Sequence, residues 1–223
     1  MRAVIFDLDG TLVDSEPNYL EAERRLLAGY GISFDEVAKR EYIGRGTRDV
    51  LEAIRTRYGL AADVETLGAV KNRLYLEIAG RGTPVFPEMR RLLDLLAGAR
   101  YRLALASGSS AEAVQAVLAI TGLGDSFAVA VSADEVALGK PAPDVFLEAA
   151  RRLGVAPGRC VVLEDSQHGV EAARRARMRC IAIPYLIDPP LAGGFEHADL
   201  LFRAGMAAFT AEAAFEWIEA LAD

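Results

Sequence analysis

Residues 3–11 read AVIFDLDGT, an unbroken apolar run that ends in two acids and a glycine. A continuous run of this kind suits a strand covered on both faces, as in a parallel sheet. Similar runs recur at 102–107 (RLALAS), 127–132 (FAVAVS), 160–165 (CVVLED) and 180–185 (CIAIPY). Helical stretches such as SSAEAVQAVLAITG and PDVFLEAARRLG lie between most of them. Strands alternating with helices imply βαβ units, hence an α/β fold with a doubly wound parallel sheet. Ligands of such sheets gather at the carboxyl ends of the strands, where the polar residues follow the apolar runs here.

One region breaks the alternation. From about Ser15 to Gly82 no convincing strand is found, only helical segments: EPNYLEAERRLLAGYG, DEVAKREY, TRDVLEAIRTRYG and ADVETLGAVKNRLYLEIAG. In the first, Leu20, Glu23, Leu27 and Tyr30 follow helical spacing, and Ala22 and Leu26 widen the apolar face. Ser15, followed by Glu16 and Pro17, marks its start. The expected division is an α/β core of residues 1–14 and 83–223 with an inserted α-helical cap, 15–82. IDPPLAGGFEHAD reads as a loop and AEAAFEWIEALAD as a closing helix.

A chain of 223 residues suits one domain, or a core with a modest insert. Its net charge of −7 opposes binding to nucleic acid or an anionic membrane through bulk electrostatics. No apolar run approaches the roughly 18 residues that span a bilayer. MRAVIFDLDG is too short and too acidic for a signal peptide, so the expected location is cytoplasmic. Cys160 and Cys180 each begin an apolar run and read as small buried hydrophobes, with no spacing for zinc. Of the 25 basic residues only Lys39, Lys71 and Lys140 are lysines. In a chain of that habit, Lys140 in GKPAPD hints at a compact point charge where a planar fork would not serve.

Asp7 and Asp9 stand at i and i+2 and face one side, while Leu8 points away. Gly10 then permits a tight turn. Carboxylates so close tend to share a proton; the plainer reading is a capped turn with solvated acids. Ser107-Gly108-Ser109 follows LALA, and Ser109-Ser110-Ala111-Glu112 has capping-box spacing. Such a turn offers N–H groups and a hydroxyl to an anion, although by itself a helix cap explains it. Lys140 precedes Pro143, a residue suited to a helix first turn. Glu164 and Asp165 close CVVL, with Gly169 after them; they suit a hard cation or cap a helix.

The set DLDGT, SGS, GKPAPD and EDSQHG resembles the four motifs of the haloacid dehalogenase-like superfamily, in the subfamily with a helical cap after the first motif. The resemblance implies a Mg²⁺-dependent phosphatase acting on a small phosphate monoester. Sugar phosphates lead the expected substrates, ahead of phosphoglycolate and nucleotide monophosphates. It implies that Asp7 attacks phosphorus to form an aspartyl-phosphate and that Asp9 acts as general acid, then base. By the same resemblance Ser107, the Gly108 N–H and Lys140 hold the phosphoryl oxygens. Mg²⁺ would be bound by the Asp7 carboxylate, the Asp9 backbone carbonyl and Asp165, with Glu164 acting through water. Tyr19, Arg45 and Arg48 are the cap candidates for substrate recognition, Gly44 and Gly46 making a flexible turn around Arg45. The two arginines read equally well as solvated. His168 is expected to cap or support, His197 to lie on the surface, and Asp14 and Glu16 to shape the first cap helix.

Four rivals share parts of this pattern. A haloacid dehalogenase does not need Asp9. A β-phosphoglucomutase-like sugar phosphomutase shares all four motifs, but that branch carries a histidine where this chain has Tyr19. Phosphonoacetaldehyde hydrolase needs a cap lysine, and Lys39 in EVAKRE looks solvated. A scaffold that lost its chemistry would not need reactive residue types at all four motifs. The expected partner is a small phosphorylated metabolite, and the expected state a monomer.

Overall fold

The computed structural model describes residues 2–43, 45–187 and 193–221. Its strands are β1 (Ala3–Phe6), β2 (Arg102–Ala106), β3 (Val129–Val131), β4 (Cys160–Glu164), β5 (Arg179–Ala182) and β6 (Leu200–Leu201). They form one parallel sheet in the order β3-β2-β1-β4-β5-β6. From β1 the chain steps outward through β2 and β3, then returns to the other side of β1 with β4. The order therefore reverses beside β1, where such sheets form a crevice. Phe6 pairs with Leu105 on one side and Leu163 on the other. That register brings Asp7, Ser107 and Asp165 to one edge of the sheet.

Alternation along β1 splits the core. Val4 and Phe6 face a cluster closed by α5 (Pro87–Gly98), α6 (Ala111–Thr121) and α9 (Ala211–Ala220). Ala3 and Ile5 face the opposite cluster, closed by α7 (Asp144–Leu153) and α8 (Gln167–Arg175). The doubly wound parallel sheet expected from the alternation is what the chain forms.

Between β1 and α5 the described residues of 15–82 carry no strand. They form α1 (Glu16–Ala28), α2 (Glu36–Lys39), α3 (Thr47–Tyr58) and α4 (Val64–Ala79). Leu27, Phe34, Leu51, Ile54 and Leu67 make a separate small core there. The roots of α1 and α4, through Tyr19, Ala22, Tyr75 and Ile78, join the cluster beneath Val4 and Phe6. The two connections to this insert run side by side. Asp14 N donates to Pro84 O at 2.9 Å, Phe86 N donates to Leu12 O at 3.1 Å, and Val13 bridges Val85 antiparallel.

Candidate active site

Asp7 leaves β1 with its N–H bonded to Leu163 O at 3.0 Å, so its side chain emerges at the edge of the sheet. The Lys140 ammonium donates to Asp7 Oδ1 at 2.5 Å, to Glu164 Oε1 at 2.6 Å and to Ala106 O at 3.2 Å. It lies 4.8 Å from the centre of the Phe146 ring, which closes its other side. Burial pushes the Asp7 carboxyl up, to about 8; Lys140 opposes this, while Glu164 and Asp9 reinforce it. Burial would lower the Lys140 ammonium, but the two carboxylates outweigh it and hold Lys140 above its ordinary value. Asp165 is likewise raised, by burial first and then by Glu164 and Asp7.

Asp9 is held by hydroxyls. Ser15 Oγ donates to Oδ1 at 2.7 Å; Ser109 Oγ and Ser107 Oγ donate to Oδ2 at 2.6 and 3.2 Å. Ser109 Oγ also meets the Tyr19 hydroxyl at 2.6 Å. Gly10 turns the chain at φ +82°, and a Cβ there would stand 2.6 Å from Asp165 Oδ2. The turn after the two acids is thus packed against Asp165, which also accepts from Thr11 Oγ1 at 3.3 Å. Asp7, Asp9, Gly108, Ser109, Lys140, Glu164 and Asp165 line a cavity of about 820 Å³ that extends under α1, α3 and α4.

These four motifs on one sheet edge can be set beside known proteins. A model of the haloacid dehalogenase-like hydrolase family matches residues 1–177. The chain belongs to that family. Fructose-1-phosphate phosphatase YqaB of Escherichia coli is 35% identical over 185 residues, 82% of this chain and 96% of its own. The phosphorylated carbohydrates phosphatase of Thermotoga maritima is 36% identical over 180 residues, 79% of this chain and 82% of its own. Among solved structures, CbbY from Rhodobacter sphaeroides in complex with phosphate superposes with a TM-score of 0.81 at 30% identity, covering 93% of this chain and 96% of that one.

Does this haloacid dehalogenase-like site fit the divalent cation implied by the resemblance? Asp7, Glu164 and Asp165 are buried together, and Lys140 bonds the first two. Buried charge left unbalanced costs several kcal/mol per ion, so an oxygen-only set with excess negative charge fits a hard cation. Among the described residues, no three His, Cys, Asp or Glu side chains are arranged as a metal site. The implied set draws on only two side chains, Asp7 and Asp165, plus the Asp9 backbone carbonyl, so it forms no such triad. Glu164 is turned elsewhere: besides Lys140, it accepts from Ser166 N and Ser166 Oγ, both at 2.9 Å.

The packing corrects some expectations and meets others. Ser110, not Ser109, caps α6, its hydroxyl accepting from Ala113 N at 3.2 Å; this frees Ser109 for Asp9. Ser15 stands just before α1, as expected, but its hydroxyl makes no cap bond and serves Asp9 instead. Asp14 accepts from the Tyr185 hydroxyl at 3.0 Å, and Glu16 pairs with Lys39 at 3.4 Å. Lys39 is buried, not solvated. Tyr19 is buried, stacked on Tyr75 with ring centres 4.2 Å apart. Arg45 and Arg48 are exposed at the cavity rim, where Arg48 pairs with Glu65 at 3.2 Å. Gly44 lies outside the described residues. His168 is half-buried on α8, and burial and Arg45 lower its pKa. His197 is exposed. Lys71, absent from the candidates, is buried on the cavity wall; the rarity of lysine was the available signal.

Proposed function

We propose that this chain is a Mg²⁺-dependent phosphatase that hydrolyses a small phosphate monoester, a sugar phosphate, through an aspartyl-phosphate on Asp7. Its class, phosphoric monoester hydrolase, is the activity its curated relatives share in name. The observation that carries the mechanism is the pairing of a lysine-bound Asp7 with a hydroxyl-bound Asp9 on the floor of one cavity.

Asp7 attacks phosphorus, and the bond from phosphorus to the ester oxygen breaks. Protonated Asp9 gives its proton to that leaving oxygen and then, as a carboxylate, takes one from the water that releases phosphate. Ser15 and Ser109 fix its position for both transfers, while the longer bond from Ser107 gives way to the phosphoryl group. Ser107, the Gly108 N–H and Lys140 bind the phosphoryl oxygens, where charge builds in the transition state. Asp7, Asp165 and the Asp9 carbonyl would hold the cation, which when bound neutralises phosphoryl charge. The helices of 15–82 act as the cap, and the protein works as a cytoplasmic monomer, with no nucleic acid or membrane partner. Among the described residues, no helix is long and apolar enough to cross a membrane.

The test is phosphate release from a panel of sugar phosphates, phosphoglycolate and nucleotides, with Mg²⁺ and with chelator. Asp7→Asn is expected to lower kcat by about 10³-fold or more with the fold intact. Substantial residual release by that variant would remove Asp7 as nucleophile. Interconversion of hexose 1- and 6-phosphates without release would instead favour the phosphomutase.

A further inference from the structure

All three lysines of the chain line the one cavity described above. Lys140 serves Asp7. The other two stand on the helical insert, in a buried web of charge. Lys39 Nζ lies 3.1 Å from Glu23 and 3.4 Å from Glu16 Oε2. Lys71 Nζ lies 3.5 Å from Glu23 Oε1 and donates to Thr47 Oγ1 at 3.4 Å. The two ammoniums stand 5.6 and 4.6 Å from the centre of the Tyr19 ring. Glu23 is fully buried, and Lys39 and Lys71 are 6% and 3% exposed. A buried ion web offers little stability over apolar packing of the same volume, so its place on a cavity wall needs another explanation.

Three of its polar atoms take part in no hydrogen bond: Glu16 Oε2, Glu23 Oε2 and the Tyr75 hydroxyl. Both carboxylate oxygens feel the Lys39 charge, but neither accepts a directed hydrogen bond from it. All three residues line the cavity. Buried polar groups are satisfied in most native proteins, so unmet capacity on a cavity wall points to a ligand. Alcohol hydroxyls donate to carboxylates; phosphates and carboxylates do not. Glu16 and Glu23 balance Lys39 and Lys71, and on the rim of the same cavity Asp49 and Glu65 balance Arg45 and Arg48, leaving no net positive charge for a second anion.

We propose that the insert end of the cavity is a subsite for the uncharged, hydroxyl-rich tail of the substrate. Glu16, Glu23 and Tyr75 read its hydroxyls, and the balanced charge rejects a second phosphate or a carboxylate. This rests on the phosphatase reading above.

The experiment compares kcat/KM of the full chain with Mg²⁺ on esters sharing one six-carbon skeleton. These are glucitol 6-phosphate, 6-phosphogluconate and glucitol 1,6-bisphosphate, with phenyl phosphate as the tailless control. Glucitol 6-phosphate is expected to exceed the two anionic-tailed esters by about tenfold or more. Glu23→Gln, which removes one negative charge and keeps the shape, should cut that preference by about fivefold or more. Tyr75→Phe should lower kcat/KM for glucitol 6-phosphate more than for phenyl phosphate. The subsite is overturned if the wild type handles either anionic tail as well as the neutral one, or if both variants keep the wild-type ratios. Should Glu23→Gln fail to fold, the wild-type comparison and Tyr75→Phe decide. Release from none of the four esters would sink the phosphatase reading instead. The subsite would then be judged by calorimetric binding of the same compounds, equal or tighter binding of an anionic tail overturning it.

Discussion

Gly169 has no room for a side chain: a Cβ there would stand 1.8 Å from Oε1 of Glu164. The glycine lets that carboxylate lie against the first turn of α8, where it reaches both Ser166 and Lys140. Gly169→Ala must expel Glu164, leaving the Ser166 N–H and the buried ammonium each short of a partner. We expect a loss of about 2–4 kcal/mol, read from the urea midpoint, together with a fall in kcat. A midpoint equal to that of the wild type would show that Glu164 can be moved freely. Much at this scale was legible in the chain. Asp7, Asp9 and Asp165 could be named because acids stand at the ends of apolar runs, and Lys140 because lysine is rare in the chain. The hydroxyls around Asp9 could not. Ser15 and Ser109 occur where helix caps are common, and only contacts across six and 100 positions reveal what they hold.

Besides apolar packing, Asn72 ties helix α4 to α6 by hydrogen bonds. Asn72 Nδ2 donates to Glu112 Oε2 at 2.5 Å, and its Oδ1 accepts from Ser110 Oγ at 2.9 Å. Asn72 lines the cavity, so the tie also sets the distance between insert and sheet edge. Asn72→Ala is expected to raise KM about 3–10-fold, with a stability loss near 1 kcal/mol. Steady-state kinetics on the best substrate would show this, and unchanged KM and kcat would mean that the tie does not shape the site. Elements were readable in proportion to their apolar runs. The first five strands each follow a run, while the two-residue β6 follows His197, Ala198 and Asp199 and has too few residues to signal itself. Lys39 was misread because its neighbours in EVAKRE are charged. In the fold the short α2 turns its stem inward beneath Tyr19.

For the whole molecule, the buried acids set the response to pH and metal. Burial holds Asp7 and Asp165 above the ordinary value of 3.8, Asp7 at about 8. Between about pH 4 and 8 the folded chain thus keeps protons that the unfolded chain gives up, and stability falls as pH rises. In chelator, Tm is expected to drop by about 5 °C from pH 5 to pH 8. Added Mg²⁺ should restore more at pH 8 than at pH 5, because the cation competes with those protons. Scanning fluorimetry reads both effects; a Tm that rises with pH in chelator would contradict them. Alternation in the sequence sufficed for a parallel sheet with a helical interruption. The strand order and the docking of α1 and α4 on the sheet's core come from long-range packing that no local pattern encodes.

Leu12 to Asp14 and Pro84 to Phe86 are paired, so the chain departs from the sheet and comes back at a single gate. Neighbouring strands there are about 5 Å apart, a gap that a two-residue turn can close. A gene for this protein can therefore be cut at that gate and the intervening stretch lifted out as one block, although Ser15 and the roots of α1 and α4 that pack on the sheet would leave with it.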